Sequence, residues 1–121
     1  MAKILVIDGD ESIRIYLDRF LSQKGYDVIL ADNGQTGLEL FCRESPHAVV
    51  LDLIMPEVNG VAVLQQIRSL DERIPVIVLT GTKNPEMRQR AYADGVTQFV
   101  EKEFSMYVLL DALKRHLHTA L

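Results

Sequence analysis

The chain has 121 residues, 48% hydrophobic and 25% charged, with a formal net charge of −4, the size and balance of one globular domain with a single core, spanning 1–121. No basic stripe offsets the acidic balance, which argues against direct contact with nucleic acid. No apolar run approaches the ~20 residues that span a bilayer, and Met1-Ala2-Lys3 leads straight into a strand without a signal-peptide pattern, so no membrane association and a cytoplasmic location are expected.

Strand and helix patterns alternate along the chain. Ile4 to Ile7 is an apolar run that ends at Asp8. Ile13, Leu17, Phe20 and Leu21 then repeat at helical spacing, and Gly25 falls where the helix would be capped. Tyr26 to Ala31 predicts a second strand, closed by the turn residues Asp32-Asn33-Gly34. A second helix is predicted from about Gln35 to Glu44, stopped by Pro46. The single cysteine, Cys42, excludes an internal disulfide, and its spacing from Leu38 and Phe41 predicts a small buried core residue.

Ala48 to Leu51 is a third apolar strand ending in Asp52, with Pro56 and Asn59-Gly60 marking the loop after it. A third helix carries Val61, Leu64 and Ile67. Pro75 introduces a fourth strand, Val76 to Thr80. The fourth helix, Pro85 to Ala93, is the most polar and ends near Gly95. Its Arg88 and Arg90, with Tyr92 and Tyr107 nearby, are compatible with a partner surface, but the arginines read more simply as a solvated face. Thr97 to Glu101 is a short fifth strand, and Ser105 is a fitting N-cap for a last helix striped by Leu109, Leu110, Leu113 and Leu117.

Strands that are apolar throughout are buried on both faces, as in a parallel sheet covered by helices on each side. The expected fold is α/β, a flavodoxin-like doubly wound (βα)5 unit with a five-stranded parallel sheet in the order 2-1-3-4-5. All strand carboxyl ends then share one rim. Asp8, Asp52, Thr80 and Lys102 stand at or just beyond four of them. Two close carboxylates invite a divalent cation, and Mg²⁺ prefers carboxylate, carbonyl and water oxygens. A carboxylate beside Mg²⁺ can act as a nucleophile and form an aspartyl-phosphate, whose oxygens a lysine and a hydroxyl could hold. Taken singly, each residue has a plainer explanation: Asp8 and Asp52 as helix caps, Thr80 as a β-branched strand residue, Lys102 as a surface lysine, Phe99 as a core aromatic.

On these residues the chain resembles the receiver domain of two-component response regulators, from Lys3 to about Leu117. The most specific stretch is Val50-Leu51-Asp52-Leu53-Ile54-Met55-Pro56-Glu57-Val58-Asn59-Gly60. Ile4-Leu5-Val6-Ile7-Asp8 is similar to the family's first strand, Pro75 to Gly81 to its fourth, and Gly95 to Phe104 to its fifth with the lysine. The resemblance implies a signalling domain rather than an enzyme. Asp52 would accept phosphate from a sensor histidine kinase or phosphotransfer protein. Asp8, Asp52 and the backbone carbonyl of Ile54 would hold Mg²⁺. Thr80 and Lys102 would bind the phosphoryl group, and Phe99 matches an aromatic that turns inward as the threonine moves. The face formed by the fourth helix, fifth strand and fifth helix would carry the signal to an effector domain or target protein, neither of which the sequence identifies.

Three positions depart from the family pattern. Gly9 stands where a second acid is usual, leaving Asp10 either as a substitute ligand or as the cap of the first helix. Glu103 replaces the proline after Lys102, and a trans bond is expected there. Ile54 and Thr82 fill the variable positions two residues beyond Asp52 and Thr80, and an apolar Ile54 implies slow to moderate self-dephosphorylation. Two other readings compete. Gly9 and Glu103 suit a receiver-like interaction module with weak or no phosphorylation. The Asp8-x-Asp10 start also resembles haloacid-dehalogenase-type phosphatases, with Asp8 as nucleophile, although Glu11-Ser12 replaces the expected Gly-Thr. A flavin site is a poor fit, because Asp8-Gly9-Asp10-Glu11 would repel a phosphate.

Overall fold

Among the described residues, apolar runs and helical stripes become five strands and five helices in alternation. The computed structural model describes residues 2–55, 59–81, 85–101 and 106–120. The elements are β1 (Lys3–Ile7), α1 (Glu11–Gln23), β2 (Asp27–Ala31), α2 (Gly34–Glu44), β3 (Ala48–Leu51), α3 (Gly60–Leu70), β4 (Val76–Thr80), α4 (Pro85–Ala93), β5 (Gln98–Glu101) and α5 (Met106–Ala120). All strand pairs are parallel, and the order is the expected β2-β1-β3-β4-β5.

Side-chain alternation splits the core into two layers. Leu5, Ile7, Val49, Leu51, Val76 and Val78 face a layer containing Phe41 of α2, Val63, Leu64 and Ile67 of α3, and Ala91 of α4. Ile4, Val6, Ala48, Val50, Ile77 and Leu79 face Leu17 and Leu21 of α1 and Leu109, Leu113 and Leu117 of α5. Phe20 of α1 also meets Tyr107 of α5 edge to face, with ring centroids 5.4 Å apart.

Element ends follow local chemistry. Asn33 caps α2 by accepting from the Thr36 N–H at 2.9 Å, and Asn59 caps α3 by accepting from Val61 at 2.8 Å. Gly25 and Gly95, at φ +92° and +94°, take the left-handed conformation that ends α1 and α4. Tyr26, expected in the second strand, instead bonds through its N–H to the Leu21 carbonyl at the close of α1.

Cys42 is exposed rather than in the core. The buried stripe of α2 is Gly34, Gly37 and Phe41, and Cys42 lies one step beyond it. A Cβ at position 37 would stand 2.6 Å from Ile7 Cδ1. The helix therefore seats on the sheet through Gly37, which an apolar count passes over, with Cys42 turned outward. Ser105, expected to cap the last helix, lies outside the described residues.

Candidate functional site

Asp8 and Asp52 are the buried polar or charged side chains among the described residues, at 2% and 4% exposure. The ladder brings them together. Ile7 is in register with Leu51, so the two acids leave adjacent strands at the same level. The Asp52 N–H still bonds to the Ile7 carbonyl at 2.9 Å, and the Asp8 N–H to the Ala31 carbonyl at 3.1 Å. Both carboxylates thus rise from backbone that is hydrogen-bonded across the sheet. Burying a charge is costly unless donors or cations answer it, and backbone donors supply part of that answer. Asp8 Oδ1 accepts from the Asp10 N–H at 2.9 Å, and Asp52 Oδ1 from the Ile54 N–H at 3.1 Å.

The loop beyond Asp52 is shaped by a close approach. A Cβ at Gly60 would lie 2.4 Å from both the Asp52 carbonyl oxygen and Leu53 Cα. The Gly60 N–H bonds to the Leu53 carbonyl at 2.9 Å. The first turn of α3 therefore rests directly on the backbone that carries Asp52, as only glycine allows. Reading the sequence for turns marked Asn59-Gly60 as a loop signal but missed this packing role. Ile54 is 56% exposed beside the rim.

Asp10 is placed as the N-cap of α1. Its Oδ1 accepts from the Ser12 N–H at 2.9 Å and the Ile13 N–H at 3.3 Å. Arg14, one turn on, donates from Nη1 to the Asp8 carbonyl oxygen at 2.7 Å. No cluster of three or more acidic, histidine or cysteine side chains forms among the described residues. Among the described residues, the buried oxygen donors at the rim are the Asp8 and Asp52 carboxylates. That set fits Mg²⁺, which is commonly held by one or two carboxylates and keeps several waters.

Thr80 ends β4 and is in register with Glu101 of β5. Leu51 is level with Val78, so Thr80 stands one residue past the level of Asp52 on the neighbouring strand. Lys102, Glu103 and Thr82 lie outside the described residues. Phe99 is partly buried, packed on the layer that holds Ala91 and Met87. Its ring meets Tyr92 at a centroid distance of 4.7 Å, and Arg88 Cζ lies 5.3 Å from the ring centre. Arg88 also pairs with Glu101 at 3.5 Å. Arg88 is therefore partly buried between partners rather than on a solvated face, whereas Arg90 is exposed. The period-two spacing of Phe99 and Glu101 places them on one face of β5, a signal present in the sequence that became informative once α4 was laid over it.

The profile of the response regulator receiver domain matches residues 4–114. Response regulator MprA of Mycolicibacterium vanbaalenii is 37% identical over 112 residues, covering 93% of this chain and 48% of that protein. The probable transcriptional regulator ycf27 of Porphyridium aerugineum is 43% identical over 103 residues, covering 85% of this chain and 42% of that protein. The chain thus spans about half the length of these curated relatives. Among solved structures, the Vibrio cholerae chemotaxis protein CheY4 superposes with a TM-score of 0.90 at 30% identity, over 96% of this chain and 98% of that one. These matches do not favour the phosphatase reading based on Asp8 or the non-phosphorylated interaction module.

Proposed function

This chain belongs to the response regulator receiver domain family, a phosphoacceptor module of two-component signalling, and from that premise we propose that Asp52 is its phosphoacceptor. The observation that carries the assignment is the pair of buried carboxylates at adjacent strand ends, the buried polar side chains among the described residues. Burying each acid costs desolvation, and a phosphoacceptor site accounts for that cost.

In this reading, Asp52 attacks the phosphorus of a phosphohistidine on a sensor kinase or phosphotransfer protein. A new Asp52 Oδ–P bond forms as the P–N bond breaks, and the histidine nitrogen leaves with the electron pair. The Ile54 N–H fixes one oxygen of Asp52 and so orients the carboxylate for attack. The Asp10 N–H and the Ala31 carbonyl fix Asp8 beside it. Asp8, Asp52 and the Ile54 carbonyl would hold Mg²⁺, which when bound supplies charge neutralisation for the transferred phosphoryl oxygens. Thr80 and Lys102 are assigned to the phosphoryl group, and Phe99 with the α4–β5–α5 face to the output. Asp10 caps α1 through one oxygen, which leaves only its other oxygen for the metal. The exposed apolar side chain of Ile54 offers no group to activate water, which supports slow to moderate loss of the phosphoryl group. The partner effector is a target of the α4–β5–α5 face. No helix among the described residues is long and apolar enough to cross a membrane.

Intact-mass measurement after incubation with acetyl phosphate and Mg²⁺ tests the assignment. The wild-type protein gains one phosphoryl group and Asp52→Asn gains none. Equal labelling of the two proteins would overturn it.

A further inference from the structure

The helix that lies over β5 is fastened differently from the others. Among its residues α4 fully buries only Ala91, with Met87 partly buried. Helices that bury so little apolar surface belong to the low-stability end of a fold. Arg88 adds two grips. Its Nη2 stands 3.5 Å from Glu101 Oε1, with side-chain exposures of 28% and 32%, and its Cζ lies 5.3 Å from the centre of the Phe99 ring. Tyr92, one turn along the same helix, also meets the Phe99 ring, at an interplanar angle of 65°. One guanidinium therefore spans both residues that share a face of β5. The upper of these, Glu101, is in register with Thr80 at the end of β4 and immediately precedes Lys102.

We propose that Arg88 is a latch: it holds α4 against Phe99 and Glu101 in the unphosphorylated domain and must let go as the α4–β5 face responds to Asp52. This rests on the phosphoacceptor reading above. The latch works through populations. It stabilises the resting arrangement, so a ligand that favours the rearranged one binds with an affinity reduced by the fraction of domains in that arrangement. Each grip is modest because both groups are about a third exposed, but together they set that fraction by a factor of about three to ten. Glu101 and Phe99 are the partners on β5, and Arg88 acts through them without touching the phosphoryl group.

Beryllium trifluoride with Mg²⁺, a phosphoryl mimic, measures the effect. Arg88→Met and Glu101→Gln should each tighten its apparent affinity by roughly three- to tenfold. The double variant should gain no more than Arg88→Met alone, because both remove the same latch. Arg88→Lys, which keeps a cation over Glu101, should stay closer to wild type. Hydrogen exchange without the mimic should show faster opening of α4 in Arg88→Met, with β1 and β3 as protected as before. Unchanged affinity in folded Arg88→Met and Glu101→Gln overturns the latch, even if α4 exchanges faster, since the arginine would then be only a fastener. Glu101→Gln conserves shape and keeps the test open if Arg88→Met fails to fold. If wild type neither binds the mimic nor labels at Asp52, the phosphoacceptor reading fails and the latch with it; if wild type does both and the variants match it, only the latch fails.

Discussion

The two ends of β4 and β5 each receive an arginine from a neighbouring helix, and the two guanidiniums are bound to different kinds of partner. At the amino ends, Arg68 of α3 donates to the carbonyls of Gly95 at 2.8 Å, Ile74 at 2.7 Å and Asp71 at 3.2 Å, and to Thr97 Oγ1 at 3.3 Å. Thr97 Oγ1 in turn accepts from the Val76 N–H at 2.9 Å. Burial pushes the Arg68 guanidinium below its ordinary pKa, opposed by the Asp71 carboxylate nearby. At the carboxyl ends, Arg88 meets a carboxylate and an aromatic ring. Backbone carbonyls cannot leave Arg68 without breaking the loops that start the strands. Side chains can leave Arg88 by changing rotamer. The same residue type is held by backbone carbonyls at one edge of the sheet and meets side chains of β5 at the other. The second edge is the one that carries Asp8 and Asp52.

This contrast predicts that variants at the amino ends change stability and spare chemistry, while variants at the carboxyl ends reach the phosphoryl site and its response. Arg68→Met has the largest expected effect. It strands the part-buried Ile74 carbonyl along with other acceptors and should cost about 2–4 kcal/mol, read as a fall of roughly 10 °C in melting temperature. Labelling of Asp52 by acetyl phosphate, measured well below that melt, should match wild type; a large loss of labelling in the folded protein would break the contrast. Gly60→Ala comes next and should blur it, because its methyl presses on the Asp52 backbone itself. Overpacking of this kind costs about 1–3 kcal/mol, and displacement of the nucleophile should slow labelling by on the order of tenfold or more. A melt that falls with no change in labelling rate would show that the Asp52 carboxylate is positioned independently of its backbone.

The smallest effect sharpens the comparison at the acid pair. Gly9→Asp adds the carboxylate that the family usually has, and Mg²⁺ affinity by calorimetry should tighten by roughly tenfold. An unchanged affinity would mean that Asp8, Asp52 and carbonyl oxygens already satisfy the ion. The melting temperature without Mg²⁺ should not rise, because a third acid at the rim repels the two already buried there.

Much of the fold was legible from period alone. Strands buried on both faces have no polar alternation to hide them, and β1, β3 and β4 were bounded by Asp8, Asp52 and Thr80 to within a residue. The acid pair was legible too, since a charge closing an apolar run must lie at a strand end. Cys42 was misplaced because Gly34 and Gly37 carry no hydrophobic signal, yet they define the buried face of α2. Arg88 was misread because α4 has so little apolar pattern that its arginines look alike from the sequence; only packing separates the half-buried Arg88 from the exposed Arg90. Asp10 had two roles open, and hydrogen bonds from Ser12 and Ile13 establish the capping one, which occupies one of its two carboxylate oxygens.

By itself, then, the sequence determined the alternating elements, the parallel sheet and the identity of the two rim acids, because these follow from local periodicity and from the cost of burying charge. Tertiary structure decided the rest: the register that sets Asp8 level with Asp52, the contact of Gly60 with the Asp52 carbonyl, and the capture of Phe99 and Glu101 by Arg88. Each joins residues distant along the chain whose meeting depends on how closely a helix approaches the sheet, a distance that no local pattern encodes.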